Sequence, residues 1–168
     1  MGFLIPLVEF SGSTGDRKQH IKKEFRYPNE KVEKMSKPFD SNSATEALSD
    51  LASKFYSVHN ETGSDAHSIG LRAIPKEGVL VTSAYRSSGD GIQRWTYQST
   101  ELSDEIFNLW NAMNREWYCI FLVLITDTQE FVAEFLDPSE AEEDMFFPGD
   151  VEGEISQFLK IKNRNFTD

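Results

Sequence analysis

Residues 118–125 read Tyr-Cys-Ile-Phe-Leu-Val-Leu-Ile, the longest uninterrupted apolar run of the chain, and no other feature narrows the fold as much. A helix crossing a bilayer needs about 20 such residues, so this run does not span a membrane. A strand with one wet face would alternate apolar and polar residues, and this one does not. The run therefore predicts a central β-strand covered on both faces, and the rest of the chain has to supply that cover.

Two amphipathic helices are predicted. The first opens at Ser43, with Glu46 three residues on as in a capping box, and runs to about His59. Leu48, Leu51, Ala52 and Phe55 form its buried stripe, with Asp50, Lys54 and Ser57 turned to water. The second starts at Ser99 or Thr100 and runs to about Glu116, with Leu102, Ile106, Leu109, Trp110, Met113 and Trp117 on one side. Between them, alternation in residues 69–73 and 79–85, then 92–97, predicts a three-stranded meander with turns at Pro75-Lys76-Glu77-Gly78 and Ser87-Ser88-Gly89-Asp90-Gly91. Residues 130–136 return beside the central strand after Thr126-Asp127-Thr128-Gln129. Residues 2–10 read as an edge strand tolerating Pro6, and Ile155, Phe158 and Leu159 have the spacing of a short closing helix. The expected class is α+β, an antiparallel sheet of about five to six strands with two main helices packed on it. Residues 1–42 are expected to form an N-terminal strand and irregular basic arm, and 43–168 a single domain with an acidic C-terminal segment.

The net charge of -11 is unevenly placed. Residues 1–37 hold eight Lys or Arg against five Asp or Glu, a balance of +3, whereas residues 38–168 hold nine against 23, a balance of -14. A body of that sign repels phosphate backbones and attracts basic proteins, which disfavours direct nucleic-acid binding. Residues 137–154 contribute Asp137, Glu140, Glu142, Glu143, Asp144, Asp150, Glu152 and Glu154 with no basic residue, and enclose Met145, Phe146 and Phe147. Aromatic anchors within a charged rim are the composition of a protein-binding hot spot, and equally of residues that cover a sheet edge.

Catalytic signatures are missing: no phosphate-binding loop, dinucleotide fingerprint, nucleophile elbow or HExxH occurs. His20, His59 and His67 have no metal-ligand spacing and read as surface or capping residues. The tail carboxylates lack the order of a calcium-binding loop, and the single Cys119 reads as a small buried residue. No enzyme activity, cofactor or metal is expected. With no signal peptide or membrane segment read in the sequence, the expected compartment is the cytoplasm.

The order of elements from the capped helix at Ser43 to the strand pair ending near Asp137 resembles the YezG-like immunity proteins of bacterial toxin systems. The residues that carry the resemblance are the acidic, aromatic helix over 102–117, then Trp117-Tyr118-Cys119-Ile120-Phe121, then Phe131-Val132-Ala133-Glu134-Phe135. The chain differs from that family in its basic arm and in having Thr126-Asp127-Thr128-Gln129 where an acidic Asp-Gly turn is usual. The resemblance, which extends to the immunity proteins of contact-dependent growth inhibition, implies an antitoxin that binds a cognate toxin domain, often a nuclease, in the cytoplasm of the producing cell. An acidic adaptor for another basic protein and a metal-dependent enzyme using the tail carboxylates are the competing classes. The contact set expected for toxin binding is Asp104, Glu105, Glu140, Glu142, Glu143, Asp144, Phe146, Phe147 and Asp150.

Overall fold

The computed structural model describes residues 3–8, 40–137 and 150–166. Six strands, β1 (Phe3–Val8), β2 (Ser68–Lys76), β3 (Val79–Ser88), β4 (Gly91–Trp95), β5 (Cys119–Ile125) and β6 (Phe131–Leu136), form one antiparallel sheet in the order β1-β6-β5-β2-β3-β4. Among the described residues three helices accompany them: α1 (Ser41–Glu61), α2 (Thr100–Ala112) and α3 (Val151–Asn165). The architecture is α+β, as the sequence predicts. β1 is an edge strand of this same sheet, paired with β6, and its register shifts between Ile5 and Val8, the interval that contains Pro6.

The apolar run sits where its composition demands. β5 lies between β2 and β6, and Cys119, Ile120, Phe121, Leu122, Val123 and Leu124 are all buried. Ile120, Leu122 and Leu124 face one way, into a core with Leu48, Leu51, Ala52 and Phe55 of α1 and Leu102, Ile106 and Leu109 of α2. Cys119, Phe121 and Val123 face the other way, into a second core with Phe158 and Ile161 of α3. The closing helix is thus a full element of 15 residues, and it alone covers the second face among the described residues.

Several boundaries differ from the sequence reading. The N-cap of α1 is Asp40, whose carboxylate accepts from Asn42 N at 3.0 Å and from Ser43 Oγ at 2.8 Å, so Ser43 is already inside the first turn. Those two bonds hold the Asp40 carboxyl below its ordinary range, Ser43 most strongly. β2 continues through Pro75 because β5 pairs only as far as Ala73, so the missing N–H breaks no bond to β5. The turn is reduced to Glu77-Gly78, with Gly78 at φ 72°. α2 stops at Ala112, because Asn114 and Arg115 adopt left-handed φ of 55° and 59°.

α3 is seated by one close approach and two charge pairs. Gly70 of β2 lies directly under Phe158, where any Cβ would overlap the ring edge. Arg72 and Glu154, 2% and 1% exposed, form an ion pair at 3.4 Å within this interface. The hydroxyls of Tyr85 and Ser83 donate to Glu154 as well. Toward the other end of the helix Arg164 pairs with Glu134 of β6. Burial raises the Glu154 carboxyl above its ordinary value of 4.5, against the opposing pull of Arg72 and Ser83.

Gly70→Ala is expected to lower unfolding free energy by about 1–3 kcal/mol, because Phe158 must leave its seat; urea denaturation measures it. Because the folded state raises Glu154, its favourable contribution is complete below pH 4.5 and is lost as pH rises through the folded value. Wild type should therefore gain stability relative to Glu154→Gln as pH falls from neutrality to 4.5, and a constant difference would show that Arg72 fully offsets burial.

Candidate functional site

The outer surface of the α1–α2 layer carries the most one-sided charge among the described helices. Glu46, Asp50 and Glu61 of α1 and Glu101, Asp104 and Glu105 of α2 stand against a single Lys or Arg, Lys54. Amphipathic spacing places them there: the i, i+3, i+4 stripe turns Leu48, Leu51, Leu102 and Ile106 inward, so the acidic positions between them face out.

Lys54 does not neutralise this surface; it bridges the two helices. Its Nζ donates to Glu101 Oε2 at 2.9 Å, and its pKa is raised first by Glu101 and then by the fields of Glu105 and Glu61. Carboxylates from both helices therefore act on one point. Arg115, just beyond α2, is also engaged: its guanidinium donates to Asn111 Oδ1 at 2.8 Å and to Glu77 Oε1 at 3.1 Å.

Two half-buried aromatic rings adjoin the acidic positions. Phe107 and Trp110 have ring centroids 6.2 Å apart, and Trp110 Nε1 donates to the Trp117 carbonyl at 3.1 Å. The Arg115 guanidinium carbon lies 4.9 Å from the Trp110 ring centroid, so this ring is already used as a cation platform. A partly exposed aromatic pair on an acidic helix face has the chemistry to receive a cationic protein surface.

Of the contact set expected from sequence, Asp104 is exposed and Glu105 half-exposed on α2, both in this layer. Asp150 caps α3, its Oδ1 accepting from Gly153 N at 3.0 Å, on the helix that covers the opposite face of the sheet. Glu140, Glu142, Glu143, Asp144, Phe146 and Phe147 lie outside the described residues. Sequence reasoning counted Glu154 with the solvated tail acids, whereas it is buried against Arg72. It left Glu61 and Phe107 unremarked and assigned Glu46 to a cap instead of to the contact set, although the helical period that exposes the acids was readable.

His59 also departs from expectation. It is buried at 1% exposure rather than a surface cap, with its ring edge-on to Trp95 at 5.9 Å between centroids. Trp95 in turn stacks on Phe55 at 5.9 Å. Burial lowers the His59 pKa from 6.5, and the nearby charge of Arg86 lowers it further. Among the described residues no three His, Cys, Asp or Glu side chains are grouped to hold a metal ion, and no helix is long and apolar enough to cross a membrane. No protein-family model matches the chain, and no curated protein matches it.

The folded state depresses the His59 pKa, so its contribution to stability is present above pH 6.5 and lost as pH falls through the folded value. Thermal or urea unfolding of wild type and His59→Phe is expected to show wild type losing ground relative to the variant between pH 7 and about 5. A pH-independent difference would mean that the imidazole titrates as it does in the unfolded chain.

Proposed function

We propose that this chain is an immunity protein that binds a cognate toxin domain, a nuclease with a basic substrate-binding surface, and neutralises it by covering that surface. The observation that carries the reading is the negatively charged α1–α2 layer, whose one Lys is already paired and which includes the half-buried Phe107–Trp110 pair. A nuclease presents cationic groups to bind phosphates, so a carboxylate surface competes for the same groups. Inhibition of this kind needs no catalytic group, cofactor or metal in the inhibitor. The complex would form in the cytoplasm of the cell that makes both proteins. The same charge supports a second reading, an adaptor for a different basic protein, which predicts binding without inhibition of any enzyme.

The test uses the protein encoded by the gene next to that of this chain, assayed for nuclease activity. The full chain is expected to form a stable complex with it and to abolish nucleic-acid cleavage. Association should slow as salt rises, because long-range attraction is screened. Asp104→Lys with Glu105→Lys is expected to reduce the association rate by about tenfold or more at low salt. The same reversal at Glu140, Glu142, Glu143 and Asp144, made separately, reports whether the acidic segment shares the contact. Binding without inhibition selects the adaptor, and an unchanged association rate in both variants removes the electrostatic account.

A further inference from the structure

The two faces of the sheet are closed by different means. α1 leads into β2 and α2 joins β4 to β5, so both helices are built into the connections of the sheet. Their interface is a broad apolar core. α3 follows β6 and connects no two of the described strands. Its interface is a smaller apolar cluster whose helix side is Phe158 and Ile161, joined by the polar group of Glu154, Arg72, Tyr85 and Ser83 and by the Arg164–Glu134 pair.

Buried polar contacts of this kind fix one seating rather than many. An apolar helix could slide or rotate by a residue at small cost, whereas Glu154 meets Arg72 and Tyr85 in one register only, the register that also brings Phe158 over Gly70. Away from that register Glu154 and Arg72 would be separated within an apolar surface, which is strongly unfavourable unless the helix leaves and both are solvated. Partial seating is thus penalised, and the two favourable states are docked and released.

We propose that α3 is a latched strap, a unit that opens from the second face of the sheet while the six strands and the α1–α2 layer stay folded. Its opening uncovers the apolar row of Ile74, Phe121, Val123 and Val132 together with Cys119. Cys119 is the only cysteine of the chain and is fully buried in the cluster that α3 closes, so the native protein carries its own reporter of opening. A buried thiol reacts only in the molecules where it is uncovered.

Amide hydrogen exchange and thiol labelling of the full wild-type chain at neutral pH test this together. α3 amides are expected to exchange at least about tenfold faster than β5 amides, through sub-global opening, with Cys119 labelled at an opening equilibrium matching that of α3. Glu154→Ala and Phe158→Ala are expected to raise both α3 exchange and Cys119 labelling by about tenfold or more while β2 and β5 amides keep their protection. Equal opening of α3, Cys119 and β5 in wild type overturns the proposal, as does Cys119 labelling that follows β5 instead of α3. A variant that loses the whole fold also counts against it, and the wild-type comparison decides the matter without any variant.

Discussion

A strand buried on both faces at the centre of a sheet leaves the chain few ways to fold. β5 has no face for water, so each side needs its own apolar layer, and each neighbour must pair with it in a register that keeps the two sets of side chains apart. β2 meets that demand by sending Ile69, Leu71 and Ala73 to the helix pair and Gly70, Arg72 and Ile74 to the third helix. The outward positions of α1 and α2 follow from the same packing, because the residues that fill the core on one stripe leave the acidic residues on the other.

The two faces also divide the charge. Acidic residues of α1 and α2 are solvated or half-solvated, and Glu61, Glu101 and Glu105 act on the bridging Lys54, so that they generate a field without desolvation cost. Glu154 and Arg72 are charges of the opposite kind, removed from water and useful only in one geometry. The first arrangement suits recognition of a basic partner, and the second suits the specification of where a helix rests. A chain can combine them because the sheet keeps them apart.

Local periodicity made much of this legible. The stripes of α1 and α2 and the unbroken run of β5 each have one good explanation, and each is present. β2 does turn Ile69, Leu71 and Ala73 to one face, but α3 buries its other face too, so its alternation does not mark a wet side, and β3 shows no alternating burial. The losses came where tertiary context overrides local signals. Ser43 and Glu46 form a plausible cap, but Asp40 caps the helix three residues earlier, accepting from Asn42 N and from the Ser43 hydroxyl itself. Asn114 and Arg115 end α2 in a left-handed conformation that neither residue announces as Gly would. Pro75 looked like a turn because its permissive place past the end of β5 pairing depends on a strand more than 40 residues away. Glu154 and His59 read as surface groups because nothing in a single sequence reveals that Arg72 or Trp95 lies opposite. The acidic character of the candidate site was legible; that Asp104 and Asp150 belong to helices on opposite faces of the sheet was not.

The central claim is that a basic toxin surface is met by the outer face of the α1–α2 layer. Mapping amide chemical-shift changes across the chain on adding the protein encoded by the neighbouring gene, the proposed toxin, tests it most directly. The account predicts perturbations concentrated at Glu46, Asp50, Glu101, Asp104, Glu105 and Phe107. Perturbations confined to α3 and the strand surfaces, with that layer unchanged, would contradict it.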